Sequence, residues 1–92
     1  MRAHRRDLNQ SAIVRALRKA GATVVITADI GEGFPDLVVG WRGKTYLVEV
    51  KNLTQLSAKQ LEFIERWRGG PIIVLRTVDD VVRFLQEESD AC

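Results

Sequence analysis

Two short apolar runs separated by Arg42 and Gly43 constrain the fold of this chain more than any other feature. They lie in GFPDLVVGWRGKTYLVEVKN, residues 33–52, and each run has the length and the β-branched content of a strand. Two residues are the shortest common loop between antiparallel strands. The stretch therefore predicts a β-hairpin with strands over 36–41 and 44–51.

The hairpin register brings three charged residues together. With a two-residue loop, Trp41 pairs with Lys44 and Asp36 falls opposite Glu49. Opposed residues have their Cβ atoms roughly 4.5 to 5.5 Å apart on one face of the sheet. Lys51 follows Glu49 by two residues, so it points to the same face. A loop shifted by one residue would instead move Asp36 to the other face.

Such a cluster has two interpretations. Two neighbouring carboxylates repel each other, and a divalent cation or protonation of one acid removes that cost. Oxygen ligands favour Mg²⁺ or Mn²⁺, whose bound water can attack a phosphate while Lys51 stabilises the developing charge. A single cysteine and a single histidine leave no Cys/His metal site. The plainer alternative is a salt bridge at a sheet edge, with Pro35-Asp36 serving only as a turn.

The remaining pattern of apolar and turn-forming residues predicts five more elements. They are a helix over 7–20, a strand over 23–27, a helix over about 58–68, a strand over 71–76 and a helix near 78–88. The strand PIIVLR is apolar over most of its length, which predicts burial on both faces. The whole chain, residues 1–92, is expected to form one α/β domain of order α-β-β-β-α-β-α, with a central mixed sheet flanked by helices.

Charge is unevenly distributed although the net charge is only +2. Basic residues concentrate in residues 1–19 and acidic residues from position 79 onward. The basic end could contact a polyanion backbone, or it could be an ordinary solvated helix face. No apolar run is long enough for a membrane span, and one cysteine is typical of a reducing cytoplasm, so we expect a cytoplasmic protein without membrane association.

Pro35-Asp36 followed by Glu49-Val50-Lys51 resembles the PD-(D/E)xK nuclease superfamily, which has the same order of core elements. Within it, the chain looks most like the small stand-alone VRR-NUC domains of phages and prophages. The likeness spans most of the chain, in DLNQSAIVRALRKAGA (7–22), GEGFPDLVVGWRGKTYLVEVKN (31–52) and LSAKQLEFIERWRGG (56–70). It implies a restriction-endonuclease-like core, encoded by a phage or prophage and acting in a bacterial cytoplasm.

The resemblance also implies roles for individual residues. Asp36, Glu49 and the backbone carbonyl of Val50 would bind Mg²⁺ or Mn²⁺, and Lys51 would be the catalytic lysine. Gln60 would face the site from the second helix, although it could also be a polar residue on a packed helix whose Leu61 and Ile64 turn inward.

The first helix departs from the superfamily pattern. Many members place a glutamate there, whereas this chain has Asp7, Asn9 and Gln10. Asn9 or Gln10 could hold a metal-bound water, and Asp7 could supply a carboxylate. The ordinary interpretation of Asp7 is a favourable charge in the first turn of a helix.

Four aromatic residues have structural and functional interpretations. Phe63 and Trp67 are spaced to pack together on a helix, against the sheet or a second subunit. Phe34 could stack on an unpaired base. Trp41, at the hairpin tip, is either a core or interface residue or an exposed wedge for DNA.

These observations together lead us to expect a metal-dependent DNA endonuclease that hydrolyses phosphodiester bonds, prefers branched, junction or flap DNA, and forms a homodimer. The alternative is a catalytically weak or inactive DNA-binding accessory module of the same fold. The candidate DNA contacts are basic side chains: Arg5, Arg6, Arg15, Lys19 and Lys59.

Overall fold

The computed structural model of this protein describes residues 5–51 and 56–90, with side chains described from residue 8 onward. The elements are α1 (Arg5–Lys19), β1 (Thr23–Ile26), β2 (Leu37–Trp41), β3 (Lys44–Val50), α2 (Ala58–Arg66), β4 (Ile72–Leu75) and α3 (Val78–Asp90). The predicted order of elements is therefore confirmed. Within the described ranges, no helix is long and apolar enough to cross a membrane.

The four strands form one mixed sheet in the order β1-β2-β3-β4. The pairs β1–β2 and β2–β3 are antiparallel, and β3–β4 is parallel. The predicted hairpin register is confirmed, because Trp41 lies opposite Lys44 and Leu37 lies opposite Val48.

The hairpin turn has the backbone conformation that a two-residue loop requires. Arg42 and Gly43 both have positive φ, 50° and 81°, as in the type I′ turn that matches the twist of paired strands. Glycine adopts this conformation without steric cost, whereas arginine does not. The Arg42 guanidinium lies 5.4 Å from the centre of the Trp41 ring, and this cation–π contact favours the turn.

One face of the sheet carries the hydrophobic core beneath α1 and α3. The alternation along each strand turns Leu37, Val39 and Val48 to this face, where all three are fully buried. The helices contribute side chains at helical spacing: Ile13, Val14 and Leu17 from α1, and Val81, Phe84 and Leu85 from α3.

The opposite face of the sheet is only partly covered. Val38 and Leu47 are half-buried there, and Val25 is 54% exposed. Near the carboxyl end of β3, however, the same face buries Glu49 and contacts α2 through Gln60. The sheet is therefore enclosed on both sides only around that end of β3.

The prediction that residues 71–76 are buried on both faces is wrong. β4 is an edge strand that pairs only with β3, and Leu75 is its one buried residue while Ile72, Ile73 and Val74 are half-buried. An apolar run indicates that a strand contacts the core. Whether that strand lies at the centre or at the edge of the sheet depends on which distant strands pair with it.

A capping box starts α3, where Thr77 followed three residues later by Asp80 is a sequence pattern that predicts one. The Asp80 N–H donates to Thr77 Oγ1 and the Thr77 N–H donates to Asp80 Oδ2, both at 3.1 Å. The Arg76 N–H donates to the same carboxylate oxygen at 2.8 Å. These bonds, with that from Arg76 the largest cause, lower the pKa of Asp80 below its usual value.

The aromatic residues pack within the chain. Trp41 is half-buried against the core and its Nε1 donates to Ser89 Oγ at 3.2 Å, so it is a core-packing residue and not an exposed wedge. Phe63 packs edge-on to Phe34 and stacks on Trp67, at 5.4 and 5.5 Å between ring centres. Leu61 is exposed, so the expectation that it turns inward is wrong.

We predict that Tyr46, the chain's single tyrosine, titrates abnormally late. Its hydroxyl donates to Glu88 Oε1 at 2.6 Å, and this bond, followed by burial, raises the pKa of Tyr46 to about 12. Because folding raises this pKa, the hydrogen bond between Tyr46 and Glu88 contributes fully to the stability of the protein below about pH 10. That contribution is lost as pH rises through about 12. Phenolate absorbance of the native protein should therefore rise later than in urea. Equal midpoints in both conditions would contradict this bond.

Candidate active site

Asp36 and Glu49 lie on the sheet face opposite the core. Asp36 directly precedes β2, and its neighbour Leu37 points into the core, so Asp36 points to the other face. Glu49 lies between the core residues Val48 and Val50 and is turned the same way. Asp36 and Glu49 are only 2% and 1% exposed. Burying two carboxylates in one region is costly unless hydrogen bonds or opposite charge compensate for it.

A hydrogen bond to the end of β3 orients Asp36. Its Oδ2 accepts the Val50 N–H at 2.9 Å. The neighbouring β1–β2 ladder also continues one step further, because the Thr27 N–H donates to the Asp36 carbonyl at 2.7 Å. Asp36 thus continues the sheet with its backbone and caps β3 with its side chain.

The Val50 carbonyl points toward the side of β3 on which Asp36 lies. The Lys51 N–H donates to the Leu75 carbonyl of β4 at 3.0 Å. No peptide bond described here is cis, and in a trans peptide the C=O and the following N–H point in opposite directions. The Val50 carbonyl therefore points away from β4. Its oxygen is therefore on the same side of β3 as the Asp36 carboxylate that accepts the Val50 N–H.

Gln60 connects the start of α2 to Glu49. Its Nε2 donates to Glu49 Oε1 at 2.8 Å, and its Oε1 accepts the Ser57 N–H at 2.7 Å. The Gln60 N–H donates in turn to Ser57 Oγ at 3.2 Å, which completes a capping box. One buried amide therefore fixes both the first turn of α2 and the orientation of Glu49.

Lys51 is also buried, at 7% exposure. Its backbone carbonyl accepts a hydrogen bond from Asn9 Nδ2 at 3.1 Å, and the same amide lies 3.3 Å from the Arg76 carbonyl. Asn9 therefore ties α1 to the ends of β3 and β4. Gln10 lies elsewhere, in a groove between α1 and β1.

The loop before Asp36 packs tightly against α2. Gly33 has a φ of +79°, and a Cβ added there would collide with the Lys59 carbonyl. Thr27 Oγ1 donates to the Pro35 carbonyl at 2.8 Å and closes the loop. Residues 29–35, with two glycines and a proline, have the composition of a loop, but this composition does not reveal the close approach to α2. Any larger residue at position 33 would force the loop and α2 apart next to the acids.

The oxygen atoms near β3 have the donor chemistry of a hard-cation site. Two carboxylates and the Val50 carbonyl are ligands that Mg²⁺ and Mn²⁺ accept, with water completing the coordination. Among the described residues there is no group of three or more His, Cys, Asp or Glu side chains that could hold a metal ion. Among the described side chains, a cation here would thus depend on Asp36 and Glu49 for its carboxylate ligands.

The predicted DNA contacts do not form one surface. Arg15 and Lys19 are exposed on α1, on the core side of the sheet, whereas Lys59 is exposed on α2, on the opposite side. The side chains of Arg5, Arg6 and Asp7 lie outside the described residues.

Compared with known proteins, the chain matches no family model, no curated protein and no solved structure.

We predict that Gln60→Ala destabilises the protein more than Ser57→Ala. Ser57→Ala removes one capping bond and should cost about 1 kcal/mol. Gln60→Ala also removes the donor to buried Glu49 and should cost about 2 to 3 kcal/mol. Urea denaturation measures both free energies of unfolding, with the exposed substitution Glu62→Ala as a control expected to change little. Equal losses for the first two variants would show that the contact with Glu49 adds nothing to stability.

Proposed function

We propose that this protein is a Mg²⁺- or Mn²⁺-dependent DNA endonuclease with a PD-(D/E)xK core of the VRR-NUC type, which cuts branched, junction or flap DNA. The observation that supports this most strongly is the burial of Asp36 and Glu49 on one face of the sheet, with Lys51 buried two residues after Glu49. A small domain gains little stability from burying two acids. A cation site, in contrast, would require two acids at this position.

The contacts of the two acids suit metal binding. Asp36 is held by the Val50 N–H and Glu49 by the Gln60 amide. Each bond fixes the orientation of one carboxylate. A bound Mg²⁺ or Mn²⁺ would supply a water of lowered pKa and positive charge near a phosphate oxygen.

In this proposal, Lys51 acts on the phosphate and Gln60 acts on the orientation of Glu49. Most of Lys51 is shielded from water, and its positive charge would stabilise the negative charge that develops on the phosphate. Gln60 would keep Glu49 in a fixed orientation and so act as a positioning residue.

The substrate class follows from what this domain can recognise. These 92 residues offer few side chains for contacting base edges. Recognition of DNA shape is therefore favoured over recognition of sequence. We propose in addition a homodimer, because two sites related by two-fold symmetry suit a symmetric junction. Exposed Val25, Leu61 and Trp67 offer apolar surface for such contacts.

A second candidate function is a DNA-binding accessory module that cuts weakly or not at all. The position of Asn9 favours it, because the Asn9 amide donates to backbone carbonyls and so does not replace a first-helix carboxylate. With two carboxylates in place of three, metal affinity would be reduced. Metal-dependent cleavage separates the two functions.

We predict that labelled four-way junction or flap DNA is cut in Mn²⁺ or Mg²⁺ but not in EDTA. Asp36→Asn and Glu49→Gln should each reduce the rate of cleavage at least about 100-fold. Both variants remove charge but keep an oxygen acceptor for the Val50 N–H or the Gln60 amide. Their folding should therefore be preserved. Glu62→Gln removes an exposed charge in α2 and should leave the rate unchanged.

Binding without cleavage on junction, flap, single-stranded and linear duplex DNA would contradict the nuclease and support the accessory module. Cleavage that persists in Asp36→Asn would show that the site lies elsewhere in the chain.

A further inference from the structure

A basic groove lies between α1 and β1, apart from the acids of the candidate active site. We call it the α1–β1 groove. Its volume is about 620 Å³, and its lining includes Gln10, Arg15, Arg18 and Lys19 together with apolar Val14 and Ile26. Among the described side chains that line it, three are cations and none is an acid.

The positive charge of the α1–β1 groove is a local concentration that the small net charge of the chain does not reveal. The chain as a whole carries only +2, and the acids of α3 offset much of its basic charge. Arg15 and Lys19 are both exposed and lie one helical turn apart, about 6 Å along the axis of α1. Like charges at this spacing destabilise a helix. A bound polyanion would offset that repulsion, because both cations would be attracted to its negative charges.

Arg18 is fixed at the wall of the groove. Its guanidinium donates to the Val24 carbonyl of β1 at 2.9 Å. β1 is an edge strand, so this bond also occupies part of the edge that another strand could pair with. A guanidinium held in this way offers a planar surface on which a base can stack with little loss of side-chain entropy.

The apolar lining distinguishes between kinds of polyanion. Ile26 ends β1 with 52% of its surface exposed, next to the cations of α1. A duplex presents phosphates and hides the faces of its bases. An unpaired strand presents phosphates and base faces together, which matches cations beside an apolar surface. An acidic peptide would satisfy the cations but would not require the apolar lining.

One end of the α1–β1 groove lies close to the candidate active site. There, Gln10 follows Asn9, whose amide donates to the Lys51 carbonyl. Ile26 lies toward the same end, because β1 runs back along α1 from the contact between Arg18 and Val24, and Ile26 precedes Thr27, whose N–H donates to the Asp36 carbonyl. A strand lying in the groove could therefore pass around the β1 edge to the acids.

We propose that the α1–β1 groove binds single-stranded DNA, and that it selects substrates with an unpaired arm for the site at Asp36 and Glu49. The selection of substrates depends on the proposed nuclease function, whereas the binding of the strand does not. Flaps and junctions with single-stranded arms should therefore be preferred over uninterrupted duplex.

The test is fluorescence anisotropy in EDTA, with labelled oligothymidylate of about 12 nucleotides and a duplex of equal length. We expect tighter binding of the single strand. Arg15→Gln/Lys19→Gln should weaken that binding about tenfold at low salt and reduce the slope of log K against log salt by about 1.4. Arg18 is left unchanged because it contacts Val24.

The matched control, Arg66→Gln/Arg83→Gln, removes two exposed cations from α2 and α3 and should change binding less than about twofold.

A further variant tests the apolar lining. Ile26→Ser should weaken binding of the single strand without changing its salt dependence, since no charge is lost. The proposal is overturned if the duplex binds as tightly as the single strand, if the control variant loses as much as the groove variant, or if Ile26→Ser has no effect. Equal competition by a glutamate-rich peptide would also overturn it.

The groove and the nuclease can fail separately. Strand binding that depends on Arg15 and Lys19, without any metal-dependent cleavage, would confirm the groove and contradict the nuclease. Cleavage that depends on Asp36 but is unaffected by Arg15→Gln/Lys19→Gln on every substrate would confirm the nuclease and overturn the groove.

Discussion

The two-residue turn at Arg42 and Gly43 sets the register on which both the core and the candidate site depend. Successive residues of a strand point to opposite faces, so a slip of one residue in β2 would exchange the two faces. In the observed register Leu37 and Val48 are opposed within the core. The same register turns Asp36 and Glu49 to the opposite face, where the sheet meets α2. The acids cannot leave this position unless the core side chains move as well.

The acids are also built into the local structure. Asp36 caps the end of β3 through the Val50 N–H, and Gln60 joins Glu49 to the capping box of α2. Gly33 lets the preceding loop approach α2 closely. Replacing an acid by alanine would therefore disturb folding and charge at once, whereas the corresponding amides remove the charge and keep one oxygen acceptor. This coupling also means that hydrogen bonding by itself accounts for part of the burial of Asp36 and Glu49.

Features governed by local rules could be predicted from the sequence. Turn chemistry gave the position of the hairpin, strand alternation gave the shared face of Asp36 and Glu49, and the Thr77–Asp80 spacing gave the cap of α3. Features that depend on packing between distant segments could not. The edge position of β4 depends on which strand lies beside it, and the α1–β1 groove exists only because α1 packs beside β1, at the opposite edge of the sheet. The two carbonyls contacted by Asn9 lie 42 and 67 residues away in sequence, so no local pattern could indicate them.

The most direct test of Asp36 and Glu49 as a cation site is calorimetric titration of the purified protein with Mn²⁺ in the absence of DNA. If the two carboxylates hold the metal, the native protein should bind it at a single site per chain. Asp36→Asn and Glu49→Gln should each abolish or greatly weaken that binding while the proteins remain folded. Absence of Mn²⁺ binding by the native protein, or equal binding by both amide variants, would contradict a metal site and leave the two acids as structural hydrogen-bond acceptors.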